Sequence, residues 1–177
     1  MACTSLLTAG FTLDCVDSTG GLQDFLITNS ENITPGFTVA AGEVTALTQV
    51  GATSFYRYGL EEEDADFIST ENKSIENGTL FYETILNFTI NKLSKEKNVE
   101  LQLMAAARKL AIIFQDGNGT WHAIGLDNGA KKMGGTNQSA SGKAFGDANG
   151  YTIGLMAKES HYPYTVDPTV VAGLTIA

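Results

Sequence analysis

The sequence predicts a mainly β protein of the α+β class: a β-sandwich or barrel with one flanking α-helix at about residues 94–108. Many short segments alternate apolar and polar residues, as half-buried strands do, and turns rich in Gly, Asn and Asp separate them. Only one segment has convincing helical periodicity. A chain of 177 residues, of which 43% are hydrophobic, can bury its own core, so we expect one domain, 1–177.

The first half of the chain contains three strand-like segments, at residues 21–29, 43–50 and 54–60. Pro35 and Gly36 predict a turn between the first two, because Pro fixes φ and Gly tolerates positive φ. The third segment runs into a series of acidic residues. Residues 66–70 follow, and then a polar loop that ends at Gly78.

Residues 79–90 give the strongest strand signal in the chain. One face of this strand is apolar and is predicted to lie in the core: Leu80, Tyr82, Leu86, Phe88 and Ile90. The opposite face carries Glu83, Asn87 and Thr89. This alternation therefore predicts a strand with one buried face.

The predicted helix begins after Ser94, whose hydroxyl can accept a hydrogen bond from a free N–H of the first turn. Its apolar stripe is predicted to consist of Val99, Leu103, Ala106, Ala107 and Leu110. The N-terminal half of the helix is polar. We therefore expect the helix to lie on the flank of a sheet.

Four further strands are predicted, at residues 110–114, 120–126, 151–158 and 170–176.

The Gly-rich loop 141–150 contains Gly142 and Lys143, which are also found together in phosphate-binding loops. The Walker motif needs Gly and Ser or Thr where this chain has Asn137 and Ala144. A strand pattern rather than a helix pattern follows Gly150, so we predict a flexible connection that closes on a tight turn, and no nucleotide or other cofactor.

The chain is acidic, with 20 Asp and Glu against 11 Lys and Arg and a formal net charge of −9, which disfavours a nucleic-acid clamp. The N-terminus lacks a basic region and a sustained apolar stretch, and no run approaches the ~18 apolar residues of a membrane span. We therefore expect no secretory signal and no membrane partner.

Cys3 and Cys15 form no CxxC pair, so no zinc or other metal site is predicted and both thiols are expected to be reduced and buried.

One acidic run is the strongest candidate for charged chemistry, and it consists of Glu61, Glu62, Glu63, Asp64 and Asp66. Its spacing does not fit a calcium-binding EF-hand loop, and a solvated loop is the simplest interpretation. His122, beside Trp121, is expected to pack on a strand, and His161 is expected in a loop. Neither is assigned to a catalytic triad, because no G-x-S-x-G motif precedes either. We predict no catalytic residues and no enzyme activity.

Several short motifs follow one another along the chain in an order that is typical of one protein family. The N-terminal motifs are Leu13-Asp14-Cys15 and Ser18-Thr19-Gly20-Gly21-Leu22. Further on, a capped helix, an apolar strand, an Asp-Gly-Asn-Gly turn and an Asp-Asn-Gly turn follow one another as in that family. The last motif is the block SGKAFGDANGY, residues 141–151. Together these motifs resemble those of phage major tail tube proteins, particularly of Bacteroidetes-type phages, in which a similar block precedes the last hairpin.

The resemblance implies a structural virion protein, made in the cytoplasm of a bacterial host and located in the tail. Its fold would be related to that of tail tubes and type VI secretion tubes. Copies would form hexameric rings that stack around a lumen through which DNA passes only transiently. Further partners would be the tail sheath, the tape measure protein and terminator or baseplate proteins. The segment 51–78 would be an extended loop that lies on the next ring and carries the acidic contact residues.

Two other function classes stay open at this stage. A head–tail joining ring or a secretion-tube ring would use the same fold class. A carbohydrate-binding β-sandwich or a hydrolase would instead need a concave site with suitably placed carboxylates. The formation of tubes, single rings or neither by the purified protein separates these classes.

Overall fold

The structure is a computed structural model that describes residues 9–13, 15–61 and 63–177. In chain order its strands and helices are β1 (Leu22–Asn29), β2 (Ile33–Ala40), β3 (Glu43–Gln49), β4 (Tyr56–Gly59), β5 (Ala65–Ser74), β6 (Thr79–Asn91), α1 (Lys95–Ala106), β7 (Leu110–Asp116), β8 (Trp121–Ile124), β9 (Lys131–Lys132), β10 (Gln138–Ala140), β11 (Gly150–Glu159), β12 (Tyr164–Val166) and α2 (Pro168–Ala172). A seven-stranded sheet has the order β2-β3-β12-β8-β7-β1-β4. A second sheet has the order β10-β11-β6-β5, and β9 also pairs with β11. The predicted β-rich fold with one main helix is confirmed.

The two sheets pack face to face through a core of aromatic and aliphatic side chains. The ring centroids of Phe25 on β1 and Phe88 on β6 are 4.5 Å apart. Those of Phe67 on β5 and Phe114 on β7 are 4.9 Å apart. Each pair joins one sheet to the other, so aromatic contacts connect the two layers of the sandwich.

The seven-stranded sheet also buries its opposite face, against a second apolar cluster. Val44 of β3, Phe55 and Ile113 of β7 are each 0% exposed there, and Val171 of α2 joins them. Because both faces of β7 are covered, its first five residues, LAIIF, are continuously apolar instead of alternating.

The strand β6 follows the predicted alternation over most of its length. Leu86 and Phe88 are buried and Ile90 packs against the same core, as predicted. Leu80, predicted to lie on the same buried face, is 47% exposed instead. The alternation of β6 thus continues beyond the end of the core.

The helix α1 begins where the sequence predicts, but it buries a different face. Ser94 caps it, because its Oγ accepts a hydrogen bond of 3.2 Å from the N–H of Lys97. Leu101 and Met104 pack into the core, whereas Val99 and Leu103, from the predicted stripe, are 50% and 60% exposed. Apolar residues occur all round the C-terminal half of the helix, so its periodicity could not identify the buried face.

Two further sequence predictions about local structure are wrong. Pro35 and Gly36 lie inside β2, where the pairing with β3 is irregular between Ile33 and Phe37, and not in a turn. A Pro is tolerated there because β2 is an edge strand. The predicted strand 170–176 begins as the helix α2, because Asp167 Oδ1 accepts the Thr169 N–H at 2.8 Å and Pro168 favours the first helical turn.

The Gly-rich loop 141–150 forms a turn around one carboxylate. Asp147 Oδ2 accepts the backbone N–H groups of Lys143 and Ala144, both at 2.8 Å, and these bonds lower the pKa of Asp147. Gly150 then begins β11, so the predicted strand after the loop is confirmed.

Cys15 is a free thiol and is exposed, contrary to the prediction that it is buried, and Cys3 lies outside the described residues.

A partly buried ion pair attaches the edge strand β4 to β1. The Arg57 guanidinium contacts Asp24 Oδ2, and the side chains of Arg57 and Asp24 are 63% and 10% exposed. Asp24 Oδ1 has no hydrogen-bond partner among the described residues. The buried carboxylate therefore depends on Arg57.

We expect Arg57→Ala to lower the free energy of unfolding by about 1–3 kcal/mol, because it leaves a buried carboxylate without its partner. Urea denaturation measures this loss. The matched control is Arg108→Ala, which removes an exposed Arg and is expected to change stability by less than about 0.5 kcal/mol. Equal effects of the two substitutions would contradict the role given to Arg57.

Candidate assembly surface

The strands β5 and β6 form a long antiparallel hairpin, in which the pairs run from Ala65 opposite Phe88 to Ser74 opposite Thr79. On the other side of β6, the strand β11 extends only to Glu159, which lies opposite Tyr82. The end of the hairpin is therefore a ribbon of two strands, and no other strand of the described residues pairs with it. We call residues 72–81 the projecting ribbon.

The projecting ribbon carries exposed apolar side chains. Ile75 is 87% exposed and Leu80 is 47% exposed. The N–H of Asn77 donates to Ser74 Oγ at 3.3 Å, and Gly78 has a φ of 61°, which together close the tip. Because a two-stranded hairpin alone is only marginally stable in water, this ribbon is suited to contact with another surface.

Side-chain contacts anchor the hairpin where the ribbon leaves the sandwich. The rings of Tyr82 and Tyr162 are 4.2 Å apart between centroids. Lys158 Nζ lies 2.7 Å from Glu83 Oε2 and 5.6 Å from the ring centroid of Phe81. Desolvation, followed by the charge of the nearby Glu71, raises the pKa of the Tyr82 hydroxyl. These contacts hold the base of the ribbon in one orientation.

The outer side of β5 is a free sheet edge, since no strand within residues 9–13, 15–61 and 63–177 pairs with it. The N–H of Thr89 donates to Asp64 O at 3.0 Å, which fixes the alternation of the β5–β6 ladder. Even-numbered residues of β5 consequently bond to β6, and odd-numbered ones direct their backbone groups to the free edge. The residues whose backbone N–H and C=O groups point to the free edge are Ala65, Phe67, Ser69, Glu71 and Lys73.

The other sheet edges are short or covered. β4 has four residues, and beside it the N–H of Phe55 donates to Thr175 O at 2.8 Å, so the C-terminal residues occupy part of that edge. β2 contains Pro35 and an irregular register, and β10 has three residues. Natural proteins use such features to prevent edge-to-edge pairing. β5, with ten residues and no Pro, lacks them.

The structure places the acidic run at the start of β5, away from the tip of the projecting ribbon. Glu61 Oε2 accepts a hydrogen bond from Asn91 at 3.1 Å, and Asp66 Oδ2 accepts one from Asn87 at 3.4 Å. Glu63 has a positive φ of 66°. Two of the acidic side chains are thus held against the far end of β6, and Glu62 lies outside the described residues.

The segment 51–78 contains more regular structure than a loop. The predicted strand 54–60 is confirmed in part as β4, but the predicted polar loop after residue 70 is wrong, because β5 continues to Ser74. Its end, ENKS, has no apolar residue and therefore gave no strand signal. The available signal was the length of β6, because thirteen residues in a strand require a partner of similar length.

Both histidines occupy the kinds of position that the sequence predicts. His122 lies on β8 with its ring against those of Phe67 and Phe114, and its Nε2 is 3.3 Å from Asp116 Oδ2. His161 lies in the connection between β11 and β12.

Within the described residues no helix is both long and apolar enough to cross a membrane.

Comparisons of this chain with protein-family models, with curated proteins and with solved structures find no match.

Proposed function

We propose that this chain is the subunit of a phage tail tube, and that its copies assemble into hexameric rings that stack around a lumen for DNA. The free edge of β5, continued by the projecting ribbon, carries this proposal. A backbone edge of ten residues and an exposed apolar tip are both hazards for a monomer. In an assembly, both can be covered by other subunits.

A ring or a tube requires a head-to-tail contact, in which the edge and the ribbon of one subunit bind a different surface of the neighbouring copy. Such heterologous contacts close into rings or continue as filaments. A neighbouring strand on the β5 edge would extend the sheet from one subunit into the next.

The charge of the chain fits a conduit for nucleic acid better than a binding site for it. The formal net charge is −9 per subunit, so a ring of identical subunits would be strongly acidic. An acidic wall repels phosphates at short range, which lets DNA slide without being retained. Sheath, tape measure and terminator or baseplate proteins would contact the tube from outside, inside and at its ends.

Negative-stain electron microscopy of the purified protein over a range of concentrations tests this proposal. We expect hollow tubes or stacked rings that become more numerous as the concentration rises. Single rings that never stack would favour a head–tail joining ring instead. A monomer at every concentration, checked by light scattering, would contradict self-assembly.

A further inference from the structure

Three side chains of metal-ligating type meet outside the candidate assembly surface. Asp127 follows β8, Glu159 is the last residue of β11, and His161 lies two residues further on. Their ligand atoms all lie within 4.8 Å of one another. One side chain thus comes from beside the seven-stranded sheet, and the others come from the end of the second sheet.

The imidazole of His161 is held in an orientation suited to a metal ligand. Its Nδ1 lies 2.7 Å from the carbonyl oxygen of Tyr162. A carbonyl only accepts, so Nδ1 carries the hydrogen, as it does in most protein-bound metal sites with an Nε2 ligand. The ring of Tyr164 stacks on the imidazole with a centroid distance of 3.7 Å. Nε2 therefore faces Asp127 with its position fixed by two neighbours.

The Nε2 of His161 is in direct contact with the carboxylate of Asp127. The two atoms are 2.7 Å apart, and an imidazole nitrogen and a carboxylate oxygen are both metal-ligand atoms. The contact therefore brings two ligand atoms of different elements to one point.

A buried carboxylate completes the group. Glu159 is only 4% exposed, and its Oε1 accepts the N–H of Asp127 at 3.2 Å. Among the described residues, no Lys or Arg forms an ion pair with Glu159 or Asp127. Two carboxylates and one imidazole thus share a site that contains no fixed cation, although a buried charge normally has a partner or a metal ion.

We propose that Asp127, Glu159 and His161 bind a divalent transition-metal ion, and that Zn²⁺ is the ion that suits them. One imidazole nitrogen and two carboxylate oxygens are zinc ligands, and with three protein ligands a water molecule takes the fourth position. Mg²⁺ and Ca²⁺ prefer sites made of oxygen ligands alone. This site is separate from the proposed tube function and does not depend on it.

The bound metal would tie the base of the projecting ribbon to the seven-stranded sheet. Glu159 lies opposite Tyr82 in the β11–β6 ladder, and the ring of Tyr162, next to His161, packs against that of Tyr82 at an angle of 49°. A metal ion that joins Asp127 to Glu159 and His161 therefore restrains the loop that supports the ribbon. Its expected effect on the isolated subunit is stabilisation.

Calorimetric titration of the full chain with Zn²⁺, after treatment with a chelator, tests the site. The chain should carry Cys3→Ser and Cys15→Ser, because free thiols also bind zinc. We expect one zinc ion per chain and, at a hundredfold excess over Kd, a rise in Tm of about 5–10 °C. Mg²⁺ at the same concentration should give neither effect.

The two histidines of the chain provide a matched pair of variants. His161→Ala should weaken zinc binding at least about tenfold, whereas His122→Ala should leave it unchanged. If His161→Ala fails to fold, Asp127→Asn serves instead, because it keeps the size of the side chain and removes a charged ligand. Absence of zinc binding in the parent chain, or equal affinity in the parent and the His161 or Asp127 variant, would overturn the proposal.

Discussion

Phe25→Ala is expected to lower the free energy of unfolding by about 3–5 kcal/mol. Phe25 is 0% exposed at the centre of β1. Its ring lies 4.5 Å from that of Phe88 in the opposite sheet and stacks on that of Tyr58 at 5.2 Å. The substitution removes a contact between the two layers and leaves a cavity that neither sheet can fill without moving.

Urea denaturation of the subunit under conditions where it is monomeric measures this effect. A typical domain has only about 5–15 kcal/mol of stability, so the variant is expected to unfold at much lower urea. The control is Phe145→Ala, which removes the same atoms from a fully exposed ring and should change stability by less than about 0.5 kcal/mol. A loss below about 1 kcal/mol for Phe25→Ala would mean that the sheets are not held together through this ring.

Those parts of the fold that depend on local chemistry were predictable from the sequence. The alternation of residues 79–90 identified a strand and most of its buried face, and Ser94 identified the start of the helix. The apolar run at residues 110–114 identified β7, and its lack of alternation is typical of a strand buried on both faces. In each case the signal comes from neighbouring residues and needs no knowledge of distant ones.

Those parts that depend on tertiary contacts were not predictable. The buried face of α1 is decided by the position of the sheet, because apolar residues surround its C-terminal half. Residues 170–176 are rich in β-branched side chains, yet the Asp167 cap and Pro168 begin a helix that includes residues 170–172. In both segments packing and capping outweighed the residue pattern.

The candidate sites differ in the same way. The acidic run was visible because its members are adjacent, but the structure holds it at the base of β5 and leaves the exposed tip to less charged residues. Asp127 and Glu159 are 32 positions apart and His161 and Asp127 are 34 apart, so their spacing matches no zinc motif. Only the pairing of β11 with β6 and the course of the chain after β8 bring them together.

Glu71→Pro is expected to raise the protein concentration needed for assembly at least about tenfold, while leaving the subunit folded. The N–H of Glu71 points to the free edge of β5, because Glu71 is one of the odd-numbered residues that do not bond to β6. Proline removes this N–H and places its ring where a neighbouring strand would lie. The loss of one intersubunit hydrogen bond, about 0.5–1.5 kcal/mol, together with the steric conflict, accounts for a factor of this size.

Two control variants make this prediction specific to the edge. Glu71→Ala removes the carboxylate but keeps the N–H, so it should assemble at nearly the concentration of the unmodified chain. Asn72→Pro places proline one residue further, where the N–H bonds to β6, and should lower the Tm of the subunit itself. Light scattering against concentration measures assembly, and thermal unfolding measures the subunit. The opposite result is that the unmodified chain forms tubes while Glu71→Pro and Glu71→Ala assemble at the same concentration. That result would mean that subunits join through a surface other than the β5 edge. The projecting ribbon alone would then support the proposed contact between subunits.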